Sequence, residues 1–310
     1  MATRSLEAKL AALRDAPSRV DTLAALRGNI GVLVAAALRH VDTHGLAEEL
    51  APAFERLCEQ GVKRDPGCRG KVAIARWLHD NDRWEDGVFA RGVTYQQPEP
   101  AYGGPVDTAG ELRGICGIAY AHAGASEALD VLARLLADAD PVARIAGAQG
   151  LGDSRRDGSA LLRYKALVGD AHPDVTAAVL ESLFRLTGDA AIDFVAALLV
   201  AHDERAELAA YALGGSRLAD AFPLLVAWSA ECAARQRQMV AFLALALLRD
   251  ARANALLVDT IARAERAEAL AAATALATFA ADPVVAAAIR DAAGARDAGL
   301  RAEILRTIES

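Results

Sequence analysis

The chain has 310 residues, of which 54% are apolar but only 5% aromatic, and its formal net charge is −7. Ala and Leu dominate and strand-favouring residues are scarce, so the composition predicts an all-α protein with a large core. The acidic balance argues against nucleic acid as a partner, because binding to phosphate backbones needs a concentrated basic face. Only four of the 34 basic residues are Lys, and this excess of Arg favours a bacterial source.

The N-terminal residues, MATRSLEAKLAALRD, place charges every few positions and contain no apolar core of a signal peptide. The longest uninterrupted apolar run, Met239–Leu248, is far shorter than a membrane-spanning helix. The four cysteines lie far apart without a C-x-x-C pair, which fits neither a disulfide framework nor a zinc site. We therefore expect a cytoplasmic protein with buried, reduced thiols and no membrane segment, metal or cofactor.

Two early segments contain histidines. His40 and His44 are four residues apart, a spacing that can place two imidazoles on one helical face, but no clear third metal ligand accompanies them. Histidine near a helix C-terminus also complements the helix dipole, which is the ordinary interpretation. Further along, the stretch 79–86 is predicted to be a solvated turn between helices, with Trp84 packed beneath it.

Prolines mark the starts of similar Ala-rich segments along the chain. Asp65-Pro66, Asp140-Pro141 and His172-Pro173 each precede such a segment, and Pro141 and Pro173 are 32 residues apart. Proline suits the first turn of a helix, where its missing N–H would be unpaired anyway. A repeat of about 30–33 residues predicts a series of αα-hairpins. Its register predicts later second helices near 203–213, 232–248, 265–280 and 296–309.

The units resemble the short HEAT repeats of phycobilisome-lyase-like proteins, whose loose pattern is D-P-x-V-R-x-x-A-A-x-A-L-G. The segment from Asp140-Pro141 to Leu151-Gly152 fits this pattern well, whereas the segment after Asp65 has Arg76-Trp77 in place of Leu-Gly. The resemblance covers about residues 45–215. It implies a right-handed α-solenoid, an armadillo-type superhelix of about eight or nine stacked helix pairs, forming one domain over residues 1–310.

One stretch interrupts the repeat. Pro66 and Pro141 lie about 75 residues apart, about ten more than two repeats require, and the excess matches the Pro- and Gly-rich loop at about 95–107. Insertions into solenoids tend to lie on the binding face, and tyrosines are common in binding hot spots. The alternative is that the loop folds over the helix ends and buries its tyrosines. Thr108 and Glu111 have the spacing of a capping box, which predicts that a helix starts there.

Three arginines, at 69, 113 and 144, occupy the same predicted repeat position. They form either a basic stripe that binds an anionic partner or a structural ladder with the acidic residues that precede them. The ladder interpretation is favoured because each arginine has such an acid a few positions earlier. The ladder residues are Asp65, Arg69, Asp107, Arg113, Asp140 and Arg144.

Two functional hypotheses follow. The first is a non-enzymatic scaffold or adaptor that binds a protein or peptide through the concave face of the solenoid and the 95–113 loop. The alternative is a lyase-like or nucleic-acid-processing protein with a small anion-binding site near Arg69, Lys71, Arg91 and Arg113. No His-Glu pair or G-x-S-x-G elbow occurs, so we predict no catalytic residue. The candidate partner-binding residues are Tyr95, Gln97, Tyr102, Arg113, Arg69, Lys71 and Arg91.

Overall fold

A computed structural model describes residues 5–14, 16–154, 156–201, 203–232 and 235–309. These residues are overwhelmingly helical, which confirms the all-α prediction. The contacts within the chain divide it into two compact units, Met1–Gly158 and Ser159–Ser310, and the single domain over residues 1–310 stays a prediction. No helix in the described ranges combines the length and the apolar composition needed to cross a membrane.

The described part of the first unit contains short helices, three 3-10 turns and one β-hairpin. Its 3-10 turns are Leu38–His40, Ala47–Glu49 and Pro66–Cys68, and its strands are β1 (Pro98–Glu99) and β2 (Val106–Asp107). Its α-helices are α1 (Leu6–Ala12), α2 (Arg19–Leu26), α3 (Gly31–Ala37), α4 (Val41–His44), α5 (Leu50–Glu59), α6 (Gly61–Arg64), α7 (Arg69–Asp80), α8 (Asp86–Gly92), α9 (Gly110–His122), α10 (Ala128–Leu136) and α11 (Pro141–Asp153).

The second unit contains longer and more regular helices, with 3-10 turns at Gly188–Ala191 and Leu198–Ala201. Its α-helices are α12 (Ser159–Val168), α13 (Pro173–Thr187), α14 (Ile192–Ala197), α15 (Glu204–Ser216), α16 (Ala221–Glu231), α17 (Arg235–Leu248), α18 (Ala251–Arg263), α19 (Arg266–Ala277), α20 (Pro283–Gly294) and α21 (Ala298–Glu309).

Proline begins three of these helices, as the sequence pattern predicts. α11, α13 and α20 start at Pro141, Pro173 and Pro283. Pro66 is different, because Gly67 and Cys68 both have positive φ, at 69° and 54°, and the helix α7 begins only at Arg69. The prediction of a proline-started helix is wrong at this position.

Alternate helices of the first unit lie side by side and point in the same direction. Cys68 and Thr108 meet just before α7 and α9, with 3.7 Å between Sγ and Oγ1, while His79 and His122 stack near the ends of the same two helices. The start of α11 lies against the start of α9, so α7, α9 and α11 form a parallel row. The intervening α10 packs on both α9 and α11.

The second unit has the same arrangement. Arg237 and Glu207 meet at the starts of α17 and α15, and a Cβ added to Gly214 would lie 2.2 Å from the carbonyl oxygen of Ala244 near their ends. A hydrogen bond from Gln238 to Glu268 joins the starts of α17 and α19. Because like ends meet in both pairs, α15, α17 and α19 also form a parallel row.

Candidate binding hairpin in the first unit

The inserted stretch is an ordered β-hairpin. Pro98 pairs with Asp107 and Glu99 with Val106 in antiparallel register. Gly103 and Gly104 have φ values of 95° and 126°, a region that residues with a Cβ rarely adopt, and they allow the chain to reverse in the short tip between the strands. The insertion therefore has a fixed backbone conformation.

Gln97 joins the base of the hairpin to the helical core. Its side chain is 2% exposed, and its Nε2 donates hydrogen bonds to the carbonyl oxygen of Asp65 at 2.9 Å and to Glu99 at 2.7 Å. Its Oε1 accepts a hydrogen bond from the hydroxyl of Tyr95 at 3.1 Å. A Cβ added to Gly61 would lie 2.2 Å from this Oε1, so only glycine leaves room for the contact.

Glu99 is a second anchor, and three donors converge on one of its oxygens. Oε1 accepts hydrogen bonds from the backbone N–H of Gly67 at 2.6 Å, from Gln97 at 2.7 Å and from the Thr108 hydroxyl at 2.8 Å. Burial alone would raise the pKa of Glu99, but these hydrogen bonds outweigh it and hold the pKa below its usual range. The ionised carboxylate thus joins β1 to the turn that precedes α7.

Arg113 fixes the other strand. Its guanidinium binds both carboxylate oxygens of Asp138 at 2.8 Å and one oxygen of Asp107 at 2.6 Å, and it donates a further bond to the Tyr95 carbonyl at 2.9 Å. Burial alone would lower the pKa of Arg113, but its bonds to Asp138 and Asp107 raise it instead. Bidentate pairs of this kind are among the stronger charge-assisted hydrogen bonds.

An ion pair lies beneath the hairpin, with both side chains completely buried. Lys71 Nζ lies 3.0 Å from Asp65 Oδ2. The same carboxylate accepts hydrogen bonds from the backbone N–H groups of Gly70 and Lys71, which start α7. The Lys71 ammonium also lies 5.3 Å from the centre of the Tyr95 ring, within the range of a cation–π contact.

The two tyrosines of the hairpin therefore have opposite environments. Tyr95 is partly buried in the base, where burial raises the pKa of its phenol to about 12. Tyr102 is fully exposed at the tip, and every residue from 100 to 106 is exposed with it. Val106 adds an apolar side chain that is 54% exposed. This tip therefore presents an aromatic and an apolar side chain for contact with another molecule.

Three residues predicted to contact a partner belong instead to the internal network. Gln97, Lys71 and Arg113 are buried, and their polar groups already bind residues of the same chain. Arg91 pairs with Glu55 on α5, and Arg69 is exposed at the start of α7. Lys71 and Arg113 already bind carboxylates of this chain. The predicted set of four cations, Arg69, Lys71, Arg91 and Arg113, is therefore not free to bind an anion together.

The proposed ladder of acids and arginines has a different form at each position. Asp107 pairs with Arg113, as described above. Asp65 binds Lys71 rather than Arg69. Arg144 donates to the backbone carbonyls of Asp138 and Ala139, both at 2.8 Å, whereas Asp140 accepts from Val142 at the start of α11. Asp138, which the sequence pattern did not single out, binds Arg113 with both of its oxygens.

The predicted capping box is wrong. α9 begins at Gly110 with Ala109 as its N-cap and has no side-chain cap. The hydroxyl of Thr108 donates to Glu99 and to the carbonyl of Gln97, both in the hairpin. Glu111 pairs with Arg76 on α7 instead of returning a bond to Thr108. Hairpin contacts have thus replaced the local cap.

The described cysteines and histidines of this unit show no sign of a catalytic or metal-binding role. Burial raises the pKa of Cys58 and Cys68 to about 11, so both thiols remain protonated and weakly nucleophilic at neutral pH. The ring of His40 hydrogen-bonds to the backbone carbonyl of Leu13, and the ring of His44 to that of Pro17. Within the described parts of the chain, no group of three or more His, Cys, Asp or Glu side chains is placed to hold a metal ion.

A small cavity of about 120 Å³ lies near the C-terminal ends of α7 and α9. His79 and His122 line it with their rings stacked 4.8 Å apart. Trp84, also in its lining, stacks on Phe89 at 5.0 Å and is 40% exposed. This volume is well below the roughly 300 Å³ at which ordinary ligand pockets begin.

No protein-family model matches this chain, and no curated protein matches it either. The resemblance to HEAT repeats therefore rests on the sequence pattern, and function has to be argued from geometry and chemistry.

Proposed function

We propose that this protein is a non-enzymatic scaffold of HEAT-like α-solenoid type that binds a protein or peptide partner through the tip of its inserted hairpin, residues 100–106. The parallel rows of alternate helices support the solenoid part of the proposal, because stacked αα-hairpins place every second helix side by side in one direction. In an antiparallel helix bundle, adjacent helices would alternate in direction.

The observation that carries the binding proposal is the contrast between the base and the tip of the hairpin. The base is held by Gln97, Glu99 and Arg113 through buried or partly buried hydrogen bonds. The tip presents Tyr102, whose side chain is fully exposed. A large aromatic side chain held out by an ordered backbone gains little within the molecule, whereas it can bury its area against a partner.

Preorganisation favours binding at this tip. Ordering a loop on association costs free energy, and a hairpin that is already fixed has much less to lose. Pro98, Pro100 and Pro105 further restrict the backbone on both sides of Tyr102. The proposal therefore narrows the binding residues from the whole 95–113 loop to its exposed tip.

Affinity capture from cells that express the protein tests this proposal. The wild type is compared with Tyr102→Ala, and Tyr164→Ala provides the matched control, because Tyr164 is another exposed tyrosine, on α12. We expect Tyr102→Ala to lose at least one captured protein by about tenfold or more, with Tyr164→Ala like the wild type. Equal recovery of the same proteins by all three forms would show that the tip binds none of them.

A further inference from the structure

A groove lies in the second unit along α17, between α15 and α19. Its volume is about 360 Å³, which is within the range of about 300–1,000 Å³ typical of pockets for one small molecule. The residues of α19 that line the groove are all Ala or Thr, and these small side chains leave it open on that side. Met239, Leu243 and the buried Ala275 provide an apolar surface inside the groove.

Polar side chains from α15 and α17 also line this groove. Glu207 and Tyr211 lie one turn apart on α15, and Gln236 lies in the first turn of α17. The carboxylate of Glu207 has Arg237 Nε at 3.9 Å, the outer limit of an ion pair. The Tyr211 hydroxyl and the Gln236 amide hydrogen-bond to no described residue.

These three groups together can accept hydrogen bonds from a cation. The carboxylate is an acceptor only, and the phenol and amide oxygens are acceptors as well. Burial, and then the negative charge of Glu207, raise the pKa of Tyr211, so its phenol stays neutral. Glu207 is the one charged residue in the described lining, and the guanidinium of Arg237, outside the lining, lies 3.9 Å from its carboxylate.

We propose that the groove binds a small amphiphilic amine. Its ammonium group lies among Glu207, Tyr211 and Gln236, and its apolar body covers Met239 and Leu243. The ring of Tyr211 offers a cation–π surface to the same ammonium group.

Other classes of ligand fit this groove less well. A carboxylate or phosphate would be repelled by Glu207. A purely apolar molecule would remove water from the Glu207 carboxylate without donating a hydrogen bond to it, which is costly. An apolar molecule with an ammonium group at one end satisfies both parts of the groove.

Met239 supplies a direct probe, because the chain contains only two methionines, Met1 and Met239. In protein labelled with methyl-¹³C methionine, the Met239 signal reports on the groove, and Met239→Leu assigns it. Phenethylamine, phenethyl alcohol and phenylacetate then serve as cationic, neutral and anionic probes of one shape. We expect phenethylamine to shift the Met239 signal with at least tenfold higher affinity than phenethyl alcohol, and phenylacetate to leave it unmoved.

Two pairs of variants locate the binding site. Glu207→Gln should weaken phenethylamine at least tenfold and leave phenethyl alcohol unchanged, whereas Glu204→Gln, one turn earlier on α15, should change neither. Thr274→Phe should block both probes by filling the groove. Its control is Thr260→Phe on α18, since both hydroxyls bond a carbonyl one turn earlier.

The amine proposal is overturned if phenethylamine does not shift the Met239 signal, or if Glu207→Gln leaves its affinity unchanged. It is also overturned if the Met239 signal responds only to a captured protein, because the groove would then be a protein-binding surface. Tyr102→Ala should bind phenethylamine like the wild type. The experiments therefore distinguish a failure of the partner-binding proposal at the hairpin tip from a failure of the amine-binding proposal in the groove.

Discussion

Lys71 Nζ lies 3.0 Å from Asp65 Oδ2, and neither side chain is exposed to solvent. The carboxylate also accepts the first N–H groups of α7. Asp65 therefore both starts the helix and neutralises the cation beneath the hairpin, so the position of the hairpin base depends on this pair.

Replacing Lys71 by Met should strongly destabilise the first unit. The substitution leaves Asp65 as a buried charge without its counter-ion, a loss that typically costs about 3–5 kcal/mol.

Urea unfolding measured by tryptophan fluorescence in a Trp228→Phe background reports on this unit, because the other tryptophans, Trp77 and Trp84, both belong to it. Lys63→Met, at an exposed position on α6, is the control and should change stability by less than about 0.5 kcal/mol. A loss below about 1 kcal/mol for Lys71→Met would contradict the structural role of the pair.

Gly61→Ala should disturb the hairpin base directly. The added methyl group would lie 2.2 Å from Gln97 Oε1 and 2.3 Å from the Tyr95 hydroxyl. Such overpacking typically costs about 1–3 kcal/mol. Gly87→Ala on α8 is the matched control, since its methyl group would meet no atom within 4 Å, and a helical Gly→Ala change is expected to stabilise by about 0.5–1 kcal/mol. Opposite signs of the two changes in urea unfolding are expected; if both variants gain stability, the contact at Gly61 does not constrain the hairpin.

Helical structure and two of the proline-started helices could be predicted from the sequence because both depend on local pattern. Pro141 and Pro173 lie at first-turn positions, and the proline itself favours that place. At Pro66 the same signal fails, because the backbone takes two left-handed residues before Asp65 can accept the N–H groups of α7. That arrangement is a tertiary one and has no signature in the local sequence.

The site was less predictable for the same reason. Tyr95 and Tyr102 are alike in sequence, yet one is packed against Gln97 and Lys71 while the other is fully exposed. Lysine is rarely buried, so the residue type alone predicts an exposed cation at Lys71, and this prediction is wrong. The sequence prediction does not include Glu99, although an acid between two prolines in an inserted loop is a usable signal.

The hairpin should loosen in acid through Glu99. Its pKa is lower in the folded protein than in the unfolded chain, so its stabilisation is present above the ordinary glutamate pKa and is lost as the pH falls through the folded value. The protection factor of the Gly67 amide, whose N–H binds Glu99, should therefore fall below about pH 4.5 in the wild type, after the intrinsic pH dependence of exchange is divided out. In Glu99→Gln this loss of protection should be much weaker, and in Glu111→Gln it should persist. Identical acid profiles for all three forms would exclude Glu99 as the responsible group.

The stacked His79 and His122 should make the first unit sensitive to mild acid. Burial, and then the charge of His122, lower the pKa of His79, while Asp80 and Asp82 act in the opposite direction and Arg83 lies in the same cavity lining. The unfolded chain therefore binds more protons than the folded one below about pH 6.5, and stability falls as the pH drops.

The melting temperature should fall more between pH 7.5 and 5.5 for the wild type than for His79→Gln. His172 is exposed, so His172→Gln should show the same fall in melting temperature as the wild type. If His79→Gln shows that same fall, His79 is not the source of the acid sensitivity.

The most direct test of the central claim is the affinity of a captured partner for the hairpin tip. Titration calorimetry should show Tyr102→Ala weaker than the wild type by about 30-fold, the effect of losing a hot-spot aromatic of about 2 kcal/mol. Tyr164→Ala should bind within twofold of the wild type, and all three proteins should melt at the same temperature, because Tyr102 is fully exposed. A partner that binds Tyr102→Ala as tightly as the wild type would contradict the account.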